Sequence, residues 1–320
     1  MRAVMDATLW SSVCNLLGSE QPCLHDQMRA LPLDYGAYSD LALNIPDWQE
    51  FSAEMRIEAE AHLRGRLENS GADESRRLFG QPAIFNFSED NFSAAQLQRM
   101  ERWFATEEAN TLGPVSVAQP DLQRVHKDLH KALAFMEKAD PEFWGEIVAL
   151  VDQFVVVRPD RSHRIEFTAG TSFALWGAIL LNADLLLDWT ELYNTLAHEG
   201  GHLLLFAIAR DEPLVLNNND AEFTSPVRDD KRPMDGIFHA AFVAAREARA
   251  LDRLLSWQSG SKALSQADCD AAEESLETSV ITFWQGADIL DGQAILSPLG
   301  GSIMAECKSF MKRNFELVME

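Results

Sequence analysis

Three observations predict an α+β fold dominated by helix. Residues 1–115 read mainly as helices, residues 154–181 hold three short β-type runs, and from Asp188 onward the pattern returns to helix. A small mixed sheet packed among helices satisfies all three.

The elements follow in chain order. Trp48, Phe51, Met55, Ile57, Ala61 and Leu63 recur with helical rhythm over 47–68. The apolar run Pro82 to Phe87 reads as a strand. Ser93-Ala-Ala-Gln96 resembles a capping box, and Leu97, Met100, Trp103 and Phe104 share a face behind it. Residues 110–120 (NTLGPVSVAQP), with a Gly and two Pro, read as a linker or a long loop. They divide a mainly helical region, 1–115, from a region 116–320 that carries the chemistry, unless the two form one continuous domain. Helices are expected near 121–138 and 141–151. Phe154 to Val157, Arg164 to Thr168 and Gly177 to Leu181 then supply the sheet. Helices follow over 188–210, 233–257, 264–287 and 298–318.

Charge and cysteine usage narrow the function. Lys and Arg total 27 against 50 Asp and Glu, a net charge of -23, which repels phosphate backbones and argues against a nucleic-acid partner. Cys14, Cys23, Cys269 and Cys307 match no zinc or disulfide framework and read as free thiols in a reducing cytosol. MRAVMDATLWSSVCNLLGSEQ lacks a long apolar core before a cleavage site. The most apolar stretch, Phe173 to Leu187, is interrupted by Asn182 and Asp184 and is too short to span a bilayer. A cytoplasmic protein with no membrane partner is expected.

One motif carries chemistry. Residues 198–202 read His-Glu-Gly-Gly-His, an H-E-x-x-H. On a helix, i and i+4 share a face, so His198 and His202 reach one metal ion with Glu199 beside its open position. With eight His in 320 residues the pattern arises by chance in roughly one or two such chains per hundred. Its place on a well-capped helix (Asp188-Trp-Thr-Glu191) directly after a strand makes chance a poorer account. Gly200 and Gly201 each cost the helix about 1 kcal/mol relative to Ala, which calls for a close ligand, a partner backbone or tight helix packing. His126 and His130 are also i, i+4, in RVHKDLHKAL, but no acidic residue follows His126 and a solvated helix face accounts for them.

A mononuclear site needs a third protein ligand. Pro233 opens the next helix, in which His239 shares a face with Val243, Arg246 and Ala250 and therefore points inward. Glu247 is the rival ligand, a carboxylate as in thermolysin-like peptidases. Between the two helices, NNND (217–220) and SPVRDDKRP (225–233) place Arg228, Lys231 and Arg232 within five residues. They are either a solvated loop paired with Asp229 and Asp230 or a clamp for an anion.

TSFALWGAILLNAD, ELYNTLAHEGGHLLLFAI and SPVRDDKRPMDGIFHAAFVAAR, spanning about 171–250, resemble the HExxH-motif peptide-modification family of ribosomal peptide natural product pathways. That family includes iron(II), α-ketoglutarate-dependent β-hydroxylases of peptide side chains. The resemblance implies that His198, His202 and His239 hold iron. It also implies that Arg228 or Arg232 pairs with α-ketoglutarate, for which Arg246, seven residues on from His239 and on its face, is in reserve, and that a precursor peptide and O2 are the other partners. Three His depart from the usual two-His, one-carboxylate iron site. The competing reading is a zinc metallopeptidase with Glu199 as general base and Glu247 or His239 as third ligand. Either activity implies a zincin-like core, with a small mixed sheet over the H-E-x-x-H helix and an edge strand at 177–182 that accepts an extended peptide. A non-enzymatic structural metal site fits less well, because no Cys lies near the motif.

Overall fold

A computed structural model describes residues 82–315 except 105–112, 152, 161–166, 172–176, 210–212, 219–220 and 226–230. The helix expected over 47–68, the strand over 164–168 (all but its last two residues), Cys14 and Cys23 lie outside the described residues. The described chain is mostly helical with a small mixed sheet. It divides into two compact units, one holding 82–132 and 146–195 and the other 133–145 and 196–315.

The first unit contains the sheet. Its centre is three parallel strands, β1 (Ala83–Asn86), β3 (Gln153–Pro159) and β5 (Ala178–Asn182), with Ala83 opposite Gln153 and Gln153 opposite Ala178. Phe154 to Val157 and Ala178 to Leu181 are fully buried, the continuous apolar texture of strands covered on both faces. Val155, Val157, Ala178 and Leu180 share one face and pack with Phe87, Phe92 and Met100. Met100 stands on α1 (Ala94–Phe104), where Ser93 and Gln96 form the expected reciprocal cap at 2.9 and 3.3 Å. Each such side chain contributes about 1.5–3 kcal/mol on burial.

Two short antiparallel strands complete the sheet. β2 (Pro114–Val115) pairs with β3, so two residues of the 110–120 stretch are bonded into the sheet. β4 (Ala169–Gly170) pairs with β5. The strand expected at the sheet edge is therefore interior: β5 lies between β3 and β4, and Leu180 and Leu181 have register partners in both neighbouring strands. The segment after β5 is held by Arg124, which donates to the carbonyls of Ala183 and Leu186 at 2.5 and 2.6 Å. Arg124 belongs to α2 (Gln119–Ala139), which is followed by α3 (Pro141–Leu150).

The second unit is built on helices. α4 (Trp189–Ile208) enters it from Leu196. A two-stranded ribbon, β6 (Glu222–Thr224) and β7 (Lys231–Pro233), leads into α5 (Met234–Ser261). α5 and α6 (Gln266–Gln293), each 28 residues, are joined by a tight turn, and α7 (Pro298–Asn314) follows. α5 outlasts its expected end at 257. Gly260 does not stop it; Lys262 does, in the left-handed conformation (φ 54) with its N–H on the Gln258 carbonyl. Ser265 and Asp268 then cap α6 reciprocally. No described helix is long and apolar enough to cross a membrane.

Candidate metal centre

α4 starts where its sequence signals place it. Asp188 accepts from the backbone N–H groups of Thr190 and Glu191 at 2.8 and 3.1 Å. Glu191 turns back to the N–H of Leu187 at 2.5 Å, one residue before the cap rather than on it. The helix then carries His198 and His202 one turn apart, with their Nε2 atoms 3.2 Å from each other. With metal–nitrogen bonds of about 2.0–2.1 Å, that spacing subtends about 100° at a shared ion. The pair therefore fits two neighbouring positions of a tetrahedral or octahedral centre.

α5 passes close to this part of α4, and Gly201 is the reason. A Cβ at Gly201 would stand 3.0 Å from Val243 Cγ1 and 3.5 Å from Arg246 Cγ. Tight helix packing is thus the observed role of that glycine. The close crossing brings two α5 side chains to the histidines. Glu247 Oε1 is 2.8 Å from His198 Nδ1, and its Oε2 accepts from the Ser279 hydroxyl of α6 at 3.0 Å. His239 Nδ1 is 3.0 Å from His202 Nδ1, the two rings lie nearly parallel, and Asp235 Oδ2 is 3.9 Å from His239 Nε2.

Burial favours the neutral form of both inner rings. Burial, reinforced by His198 and His239, holds His202 well below the ordinary imidazole range. Burial also lowers His239, against the opposing pull of Asp235 and with a smaller push from His198. His198 is the ring open to solvent, with its side chain 41% exposed against 15% for His239.

The donors fit a metal in chemistry and only partly in placement. Among the described residues, no three His, Cys, Asp or Glu side chains converge on a single point. His202 shows why: it turns Nε2 to His198 and Nδ1 to His239, so its two neighbours sit on opposite sides of one ring. His239 becomes a donor only when its side chain turns towards the Nε2 pair. Glu247 meets His198 on Nδ1, the nitrogen that faces away from the Nε2 pair, so its carboxylate stands behind the ring rather than beside the two Nε2 atoms.

The other expected residues are distributed as follows. Glu199 is buried on α4 (5% exposed). Arg246 is fully buried on α5, with its stem against Gly201 and its guanidinium carbon 4.5 Å from the Phe143 ring centroid. Arg232 is half-buried in β7, immediately ahead of α5. Arg228 lies outside the described residues. Two partners escaped the sequence reading. Asp235 stands one helical turn before His239, a spacing that a search for i, i+4 partners would have found. Ser279 lies on another helix, and no local pattern points to it.

The chain matches no protein-family model and no curated protein.

Proposed function

We propose that the chain is an iron(II)- and α-ketoglutarate-dependent oxygenase that β-hydroxylates a side chain of a ribosomally made precursor peptide. The observation that carries this is the His198–His202 pair: two Nε2 atoms at metal-sharing distance, one ring oriented by a carboxylate and the other kept neutral by burial. The likeness of residues 171–250 to the peptide-modification family selects the reaction, and a zincin-like core is the fold that goes with it.

In this reading His198 and His202 hold the ion and His239 supplies the third nitrogen. Iron, once bound with α-ketoglutarate and O2, supplies the oxidising power to hydroxylate a C–H bond, with succinate and CO2 as co-products. The chain's own part is orientation and charge. Glu247 keeps the proton of His198 on Nδ1 and leaves Nε2 free to donate. Arg228 or Arg232, in the segment ahead of α5, pairs with the distal carboxylate of α-ketoglutarate, and Arg246, seven residues on from His239, is held in reserve. Glu199 borders the pair and orients what binds there.

The zinc peptidase reading keeps one specific support: Glu199 stands in the H-E-x-x-H position that a general base for metal-bound water occupies. Anaerobic purification, metal analysis and α-ketoglutarate-dependent O2 uptake separate the two. Iron with matched succinate production is the expected result. Zinc together with peptide cleavage and no succinate would overturn it.

A further inference from the structure

The contacts behind His198 run through three helices and end on a residue to which the proposed reaction gives no role. Ser279, on α6, is buried (3% exposed). Its hydroxyl stands 3.0 Å from Glu247 Oε2, and the other oxygen of that carboxylate is 2.8 Å from His198 Nδ1. We infer that Ser279 is a positioning residue of the metal centre: it fixes the Glu247 carboxylate, which in turn fixes the ring angle and tautomer of His198. The inference rests on His198 and His202 being metal donors.

The argument begins with the proton on His198. An ionised carboxylate accepts hydrogen bonds and has none to give, so the ring proton sits on Nδ1. The lone pair then lies on Nε2, the atom 3.2 Å from His202 Nε2. The tautomer that a metal requires is thus selected before any metal arrives. Glu247 cannot hold that geometry unaided, because its terminal torsion is broad and the carboxylate plane swings easily. A hydroxyl on the second oxygen pins the plane. Ser279 has one proton and a rival acceptor, the Ser275 carbonyl at 2.9 Å, one turn back on its own helix. Back-bonding of that kind is ordinary for helical serine. The ionised carboxylate is the stronger acceptor, so it takes the proton.

The alternative is that Ser279 merely fits between α5 and α6. In that case its hydroxyl is dispensable, and the two roles separate on metal affinity. The probe is cobalt(II) binding to the full chain, read by chelator competition and by the visible cobalt spectrum. Glu247→Gln is expected to weaken binding about 10–100-fold, as losses of such partners do. Ser279→Ala, one bond further out, is expected to weaken it about three- to tenfold and to shift the spectrum. Ser279→Thr keeps the hydroxyl and is expected to stay within about twofold of wild type. Ser279→Ala added to Glu247→Gln is expected to cost nothing more, because the serine acts only through the carboxylate.

Wild-type affinity in Ser279→Ala overturns the inference, as does an equal loss in the Glu247→Gln background. If Ser279→Ala does not fold, the remaining variants decide it. Unchanged affinity in Glu247→Gln, or a loss in a folded Ser279→Thr, overturns it as well. Should wild type bind no cobalt, the metal-donor reading falls and this inference with it. Should wild type bind while Ser279→Ala binds equally well, only this inference falls.

Discussion

The chain carries two histidine pairs at the same helical spacing, and they stand in different surroundings. His126-Lys-Asp-Leu-His130 lies on α2 with its Nε2 atoms 3.4 Å apart; His198-Glu-Gly-Gly-His202 lies on α4 with its Nε2 atoms 3.2 Å apart. By distance alone either would accept a metal. Among the described residues, the α2 rings have only each other as hydrogen-bond partners, and the exposed Lys127 and Lys131 flank them. The α4 rings have Glu247 behind one and His239 behind the other, with Glu199 where α2 carries Lys127. Spacing makes a pair; the second helix against it supplies the partners that make the α4 pair a candidate site. Lys127 and Lys131 outnumber Asp128 around the α2 pair, whereas the α4 pair has the Glu247 carboxylate against His198 Nδ1.

The largest expected effect tests that contrast directly. His198→Ala is expected to remove stoichiometric metal and turnover together, because it deletes half of the pair and strands the Glu247 carboxylate. His126→Ala is expected to leave both unchanged. Elemental analysis after anaerobic iron loading, with succinate quantitation, reads the two variants side by side. Metal retained by His198→Ala but lost from His126→Ala would reverse the comparison.

Next in size is Glu199→Gln. An oxygenase needs no general base at this position, so the variant is expected to keep its metal and its α-ketoglutarate and to form succinate about 10–100-fold more slowly. A peptidase would lose its chemical step outright. Complete loss of peptide cleavage, in a protein that never forms succinate, would place Glu199 as a base and remove the oxygenase.

How much of this was legible in the sequence depends on the range of the interaction. The strands at 83–86, 153–159 and 178–182 and the start of α4 were visible because short apolar runs and cap residues act locally. His198 and His202 were visible because one turn of helix relates them. The interior position of β5 was hidden, since it depends on Ala169 and Gly170 adding a short strand outside it, and two residues make no sequence pattern. Glu247 is legible in the sequence as a rival third ligand, but its contact with His198 Nδ1 is not. Whether a carboxylate touches a metal or the back of a histidine depends on how two helices cross, and Gly201 shows that crossing only once Val243 is against it.

A smaller effect concerns pH. Burial lowers His202 well below its ordinary value of 6.5, and His130 is lowered by partial burial and by His126. A histidine kept neutral by the fold takes up its proton more readily when unfolded. Its contribution to stability is therefore full above about 6.5 and is lost as pH falls through that value towards the folded-state value. The metal-free protein is expected to weaken between pH 7.5 and 5.5, at a limit of about 1.4 kcal/mol per pH unit for the buried His202 and by less for His130, whose exposure to solvent screens its shift. His202→Gln is expected to flatten that slope more than His130→Gln does. Urea titrations across the pH range measure it, and equal flattening by both would show that the two pairs share one environment.

The smallest expected effect probes the crossing itself. Gly201→Ala gives α4 a better helix former, worth about 1 kcal/mol. The new methyl meets Val243 Cγ1 at 3.0 Å and the Val243 Cα at 3.5 Å. Val243 is buried and, being β-branched, has one strongly preferred helical rotamer, so it cannot swing aside. The strain of overpacking, about 1–3 kcal/mol, therefore exceeds the gain, and a net loss of about 1 kcal/mol is expected in urea denaturation. Relief of the clash moves α5 away from α4 and carries Glu247 from His198 and His239 from His202. Cobalt affinity is accordingly expected to fall along with stability. An alanine at the matching position of the α2 pair, Leu129, would cost stability through the cavity left by a buried leucine but would leave cobalt affinity unchanged. If Gly201→Ala is destabilised while its cobalt affinity stays at the wild-type value, the approach of α5 serves packing alone, and the partners behind the histidines do not set the affinity of the pair.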